Sequence, residues 1–238
     1  MTKSKLTDSV ILADSSNYTH GRDGKKICKI TPHMMAGKLT GKQCARIFQN
    51  KNRDASANYC IGYNGDICLS VPEEYRAWTS SSRSNDCQAI TIEVSNSKNN
   101  SAKEGWPVSD KSWKALVELC VDICKRYNFK LVYDKTPNGS LTRHNMFADT
   151  DCPGKYLQNR FPQLVKEVNA KLDNKSTVGE KRKIKACTIY SNPDLTGKEY
   201  QYKDNTTVRI LKNVNKKVDY VKVIVTGRKG YIDVKNYK

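Results

Sequence analysis

Histidine is scarce in this chain: three among 238 residues, at positions 20, 33 and 144. Long apolar runs are missing too. No stretch approaches the ~20 consecutive apolar residues of a membrane-spanning helix, so no membrane span is expected. The first residues, MTKSKLTDSVILADSSN, lack the apolar centre of a secretory signal, which predicts a chain made and folded in the cytoplasm. There is no internal repeat and no low-complexity tract. Nor do the cysteines make a disulfide framework. They number nine, an odd count, and lie scattered from 28 to 187. A chain of this length does not need covalent staples, so these thiols are expected to be reduced and mostly buried as small hydrophobes.

Acidic residues are comparatively few. Forty-two Lys and Arg face 24 Asp and Glu, a net charge of +18. Residues 175–238 hold 16 of those cations and 6 of the acids, a net of +10 in 64 residues. Such an excess predicts a polyanionic partner. Nucleic acid is not the expected one. No Arg-rich readout helix, RNP-like strand or zinc-finger spacing is present. Although only 37% of residues are hydrophobic, they fall in periodic clusters, which predicts a folded chain.

Those clusters outline an α/β domain followed by an all-β one. An early strand falls within SVILADSSN (9–17), and KKICKITPHMM (25–35) predicts a buried strand ending at Pro32-His33. TGKQCARIFQNKN (40–52) predicts a helix capped by Thr40. SANYCIGYNGDICLSVP (56–72) predicts two strands joined at Asn64-Gly65, since Asn-Gly suits the tight turn of a hairpin. QAITIEVSNS (88–97) predicts a strand with Glu93 near its end. The clearest helix is 109–129, capped by Ser109, with Trp113, Leu116, Val117, Cys120, Ile123 and Cys124 as its apolar stripe. KLVYD (130–134) predicts a further strand. GKYLQNRFPQLVKEVNAKL (154–172) predicts an amphipathic helix broken or restarted at Pro162. The expected division is residues 1–174, a linker over 175–183, and a small barrel of closely spaced strands over 184–238.

One polar loop, TRHNMFADTDCPG (142–154), holds His144 eight positions before Cys152-Pro153-Gly154. Both are soft metal ligands, and a catalytic zinc takes three protein ligands and keeps a fourth position open. His33, at a strand end, is better placed as the third than His20, which sits in a polar loop. Taken alone the pattern stays open. A loop histidine is commonly a surface residue, a strand-end glutamate commonly an exposed one, and Cys152 with His144 could form a nucleophile and base.

The segments SANYCIGYNGDICLSVPEEYRAWTSS, AITIEVSNS and TRHNMFADTDCPGKYLQNRF resemble, in order, motifs of the type-2 N-acetylmuramoyl-L-alanine amidases. These are zinc enzymes of phage endolysins related to T7 lysozyme and to peptidoglycan-recognition proteins. The resemblance spans about residues 8–172 and is strongest to endolysins of phages or prophages of clostridia and similar Gram-positive hosts. It implies a mixed central sheet flanked by helices. It also implies a zinc ion held by His33, His144 and Cys152, with Glu93 as catalytic carboxylate. Thr150 stands where many members carry a lysine or threonine that helps the oxyanion. Two further positions depart from the common pattern, Asn58 and Thr79 standing where histidine is frequent. YVKVIVTGRKGYIDVKNY near the C-terminus resembles a bacterial SH3-type domain. That resemblance implies a wall-binding module whose tyrosines line a groove for sugar or peptide while its lysines meet teichoic phosphates.

The implied activity is hydrolysis of the amide between N-acetylmuramic acid and L-alanine in peptidoglycan, at the cell wall, after release from the host cytoplasm. The alternative is a protein of the same fold that binds peptidoglycan without cutting it. Nothing in the sequence specifies an oligomeric state.

Overall fold

The computed structural model describes residues 1–173 and 178–238. Its contacts divide the chain after Asp173 into two units.

In chain order the first unit contains β1 (Ser9–Val10), β2 (Tyr18–Thr19), β3 (Lys29–Met34), α1 (Gly41–Ile47), β4 (Tyr59–Ile61), β5 (Ile67–Leu69), β6 (Arg76–Ala77), α2 (Arg83–Gln88), β7 (Ala89–Val94), α3 (Asp110–Tyr127) and α4 (Gly154–Asp173). Five strands form a mixed sheet in the order β1-β5-β4-β7-β3, and β2 and β6 form a separate antiparallel pair. Within the sheet, β4 and β5 are antiparallel neighbours, whereas β4-β7, β7-β3 and β1-β5 are parallel.

Strand side chains alternate between faces, and here the alternation separates core from chemistry. Ile30, Tyr59, Ile61, Ile67, Leu69, Ile90, Ile92 and Val94 enter the larger core, which α3 and α4 close with Leu116, Leu119, Ile123, Leu157, Phe161 and Leu164. The opposite face carries His33, Glu93, Cys60 and Cys68. The two cysteines join a smaller core with Cys44, Ala45 and Phe48 from α1 and its C-cap. None of the nine cysteines is bridged.

Local chemistry accounts for most helix ends. Thr40 and Gln43 form a reciprocal capping box at α1, and the Ser109 hydroxyl accepts from the Ser112 N–H at α3. α3 ends at Asn128, whose positive φ of 55° turns its N–H back to Cys124.

Three expectations need correction, and one helix is added. β3 runs through Pro32 to Met34 instead of stopping at Pro32-His33. Ile30 turns both its N–H and its C=O away from β7, toward Ser140 and Thr142. Two residues on, Pro32 faces the same edge, where an absent N–H costs no ladder bond. KLVYD is not a strand: Leu131 N–H bonds to the Asn169 side chain and Val132 N–H to the Ser140 hydroxyl. The segment bridging to β3 is instead around Leu141. α4 is continuous across Pro162, because the buried row Leu157, Phe161, Leu164 and Val168 persists on both sides while proline removes one backbone bond. α2 is an addition, since its sequence has no apolar periodicity to announce a helix.

The second unit is an antiparallel six-stranded sheet, β10-β9-β13-β12-β11-β8, formed by β8 (Lys181–Lys183), β9 (Cys187–Tyr190), β10 (Glu199–Tyr202), β11 (Thr207–Asn213), β12 (Val218–Val223) and β13 (Lys229–Asp233). Its core is Ile184, Ile189, Val208, Ile210, Val221, Val223 and Ile232. Of the expected linker, residues 175–177 lie outside the described residues, and Lys181–Lys183 are strand, paired with β11. A charged segment without apolar periodicity reads as linker, yet an edge strand can be held by its backbone alone.

Candidate metal centre

His33 on β3 and Glu93 on β7 are register partners, and Glu93 also pairs with Cys60 on β4. In parallel strands such partners project from the same face, so the imidazole and the carboxylate stand side by side above the sheet.

The loop after Thr142 brings the other two groups. Thr142 is tied to β3 through its N–H to Ile30 O and through its hydroxyl, 2.8 Å from that of Thr31. A single 3₁₀ turn, His144–Met146, follows, and the loop closes when Asn145 N–H donates to Cys152 O. Gly154 then permits a close approach. Its φ is +81°, and a Cβ there would sit 2.9 Å from Trp106 Cβ and 3.0 Å from Met34 Sδ. Only glycine combines that backbone with that space, which explains why the Cys-Pro pair is followed by it.

As a result Cys152 Sγ lies 3.3 Å from His33 Nδ1, although 119 residues separate them in sequence. The rings of His33 and His144 have centroids 5.0 Å apart. One donor atom each from His33, His144 and Cys152 falls within 4.8 Å of the others. In a tetrahedral zinc site with bonds of 2.0–2.3 Å, ligand atoms stand about 3.5 Å apart. The donors thus need only small rotations to share an ion, and two imidazoles with a thiol are a zinc-type set. Among the described residues this is the one such group. His20 is elsewhere, its ring 4.5 Å from that of Tyr75.

The three face a cavity of about 320 Å³, whose walls include Glu93, Thr150, Trp78, Thr79 and Arg53. The electrostatics of the two imidazoles suit metal binding. Burial holds His33 well below the ordinary histidine range, and the neighbouring His144 adds to this. Burial also lowers His144, with Asp86 opposing. Both rings are therefore neutral at pH 7. Burial raises the Cys152 thiol, and Glu93 raises it further. Glu93 is itself pushed up to about 8 by burial, with Arg53 pulling the other way. Its Oε2 is shielded from solvent and has no hydrogen-bond partner.

Three contributors leave no mark in the sequence. The Ser81 hydroxyl lies 3.1 Å from His144 Nε2, and Ser81 adopts a positive φ of 60°. Its loop is pinned from below by Asp86, a buried carboxylate that accepts from the Ser80 hydroxyl and from the N–H groups of Thr79 and Ser80. Arg53, an exposed residue, brings a guanidinium to the cavity wall. No local pattern signals any of them, since each acts across a tertiary contact.

Of the positions that depart from the amidase pattern, Asn58 is fully buried. Its side-chain amide donates to the carbonyls of Val71, Pro72 and Tyr75, while its oxygen accepts from Thr91 N–H. It does not line the cavity. Thr79 does, with its hydroxyl donating to Ser56 O. Thr150 Oγ1 accepts from Cys152 N–H, 3.2 Å away, so it ties down the His144–Cys152 loop as well as facing the cavity.

Comparison with known proteins identifies a family and a shared fold. The family model described as N-acetylmuramoyl-L-alanine amidase (Amidase_2) matches residues 23–155, more than half of the chain. No curated protein sequence matches significantly. Among solved structures, a mutant endolysin from Bacillus subtilis superposes with a TM-score of 0.54 at 15% identity, covering 68% of this chain and 99% of that one. The PlyG catalytic domain gives 0.54 at 18% identity, over 69% and 94%. The hydrolase AmiA of Staphylococcus aureus, solved with its ligand, gives 0.53 at 16% identity, over 69% and 82%. At these identities the likeness is one of fold.

Proposed function

The chain belongs to the N-acetylmuramoyl-L-alanine amidase family, and from that premise we propose that it is a zinc-dependent peptidoglycan amidase, cutting the bond between the lactyl group of N-acetylmuramic acid and L-alanine. The observation that carries this reading is the convergence of His33, His144 and Cys152 on one point of a cavity that Glu93 also lines.

Zinc held by these three residues would supply Lewis-acid chemistry, polarising the amide carbonyl and making water a competent nucleophile near neutral pH. The remaining work falls to the chain. Glu93 takes the proton of the attacking water and returns it to the departing amine of L-alanine. A carboxylate whose proton affinity is raised by burial suits both halves of that task. The Thr150 hydroxyl and the positive field of Arg53 stabilise the negative charge developing on the carbonyl oxygen. Trp78 and Thr79 form part of the wall against which substrate rests.

The same reading makes the protein an endolysin of a phage or prophage of a clostridia-like Gram-positive host, acting at the wall after release from the cytoplasm. Residues 184–238 would be an SH3-like domain that binds an anionic wall polymer and keeps the enzyme near its substrate. No helix among the described residues is long and apolar enough to cross a membrane. A purely binding protein of this fold would have no use for three convergent metal donors beside a buried carboxylate.

The test is metal analysis of the purified protein together with mass spectrometry of digested peptidoglycan. About one zinc per chain and new free L-alanine amines are expected. Metal-free protein with full lytic activity, or cleavage at another bond, would overturn the proposal.

A further inference from the structure

Strand register in the second unit builds two parallel rows on the face away from its core. Tyr190 on β9 pairs with Tyr231 on β13, Tyr231 with Tyr220 on β12, and Tyr220 with Lys212 on β11. Lys229 on β13 pairs with Lys222 on β12, Lys222 with Arg209 on β11, and Arg209 with Lys181 on β8. Val221, Val223, Val208, Ile210 and Ile232 point into the core, so the residues alternating with them project outward. A row of three half-buried tyrosines thus runs beside a row of four exposed cations, two residues away along the strands.

Neither row is satisfied internally. The side chains of Lys181, Arg209, Lys222 and Lys229 make no ion pair or hydrogen bond among the described residues. The Tyr220 and Tyr231 rings lie 4.8 Å apart, and their hydroxyls are likewise without partners there. Like charges set directly opposite across strands repel, and here that happens at three successive strand pairs. Strands are spaced about 4.8 Å apart, so the cations cover roughly 14 Å. A surface that accepts such repulsion while displaying flat rings alongside is complementary to a chain alternating anionic groups with stackable, partly apolar units.

We infer that this face, defined by Tyr190, Tyr220 and Tyr231 beside Lys222, Lys229 and Arg209, is the binding surface for a polyol-phosphate polymer of the cell wall. The inference rests on the wall-directed reading above and deepens it by naming the surface and the ligand chemistry. Phosphodiesters lie along the cation row, and the carbon skeleton of the polyol packs on the tyrosines. Single-stranded nucleic acid is the competing polyanion, because bases also stack on aromatic platforms beside basic grooves.

The test uses the full chain and poly(glycerol phosphate), with binding measured calorimetrically at several salt concentrations. The variant Arg209→Gln/Lys222→Gln/Lys229→Gln is compared with a charge-matched control, Lys198→Gln/Lys203→Gln/Lys216→Gln, whose positions are exposed in the same unit but outside the row. The row variant is expected to bind at least about tenfold more weakly, with the log–log salt slope reduced by about 2, since each contact to a flexible strand contributes about 0.7. The control is expected to stay within about threefold of the parent. Tyr231→Leu is expected to weaken binding with the slope unchanged. Absence of binding by the parent chain, equal loss in the control, or tighter binding of single-stranded DNA through the same residues would each overturn the inference. Hydrolysis of a small soluble muramoyl-peptide is followed in parallel. If it persists without polymer binding, the inference fails alone. If binding occurs without hydrolysis, the amidase reading fails and this surface stands.

Discussion

His33 and Glu93 occupy the same register position on neighbouring parallel strands, and their side chains leave the sheet on one face. An imidazole and a carboxylate are thereby fixed relative to each other by backbone hydrogen bonds of the sheet, while His144 and Cys152 arrive on a loop. Rigidity of Glu93 with respect to His33, and freedom of His144 and Cys152 to adjust, follow from that division.

Zinc uptake should be coupled to proton release. His33 and His144 are held neutral and the Cys152 thiol is held protonated by burial. Binding of zinc at pH 7 should therefore release the Cys152 proton and, as the cation's field lowers Glu93 from about 8, part of that carboxyl's proton as well, so apparent affinity should rise with pH. Calorimetry in buffers of different ionisation enthalpy measures this. Release of none would show that the thiol is not a ligand, and Cys152→Ser should abolish both the proton signal and stoichiometric zinc.

Removing the carboxylate separates chemistry from metal binding. Glu93→Ala should lower kcat by ~10²–10⁴ and leave zinc content unchanged. A variant of full rate would assign the general base to another group.

Glu93 also makes stability depend on pH in the metal-free protein. Its folded proton affinity is raised from 4.5 to about 8. Below about pH 4.5 the residue is protonated in both states and costs nothing. As pH climbs through 8 the folded state must carry a buried charge or keep a proton the unfolded chain has shed, and stability is lost. Glu93→Gln should accordingly raise the melting temperature of the metal-free protein at pH 8 and have little effect at pH 4.5. Each tenfold difference in proton affinity between the folded and unfolded chain is worth about 1.4 kcal/mol, which bounds the gain. An equal effect at both pH values would trace it to packing instead.

The contact between Ser81 and His144 should tune metal affinity. Groups that orient a ligating imidazole typically matter 10–100-fold, so Ser81→Ala should weaken zinc binding by about tenfold in competition with a chelator. Ser81→Gly keeps the positive φ accessible and removes only the hydroxyl. It should weaken binding similarly, whereas parent-like affinity for the glycine variant would assign the effect to backbone strain.

Much of the fold is legible locally. The Thr40 and Ser109 caps, the apolar stripe of α3 and the Asn64-Gly65 turn are signals confined to a few neighbouring residues, and the corresponding elements are present. Local reading fails where a partner outside the window decides the outcome. KLVYD has strand composition, but its backbone groups are taken by Asn169 and Ser140. Lys181–Lys183 lack strand composition and pair because β11 offers an open edge.

The same boundary runs through the site. By itself the sequence determined which groups were on offer: three histidines, a loop joining His144 to Cys152, and a strand carrying Glu93, all read through short-range patterns of spacing and alternation. Tertiary structure alone decided that His33 meets Cys152 across 119 residues, that Ser81 touches His144, that Arg53 and Glu93 share one cavity, and that tyrosines and cations of separate strands fall into rows. Those juxtapositions depend on strand register and loop closure, which are set by packing between segments distant in the chain and leave no periodic trace within any one of them.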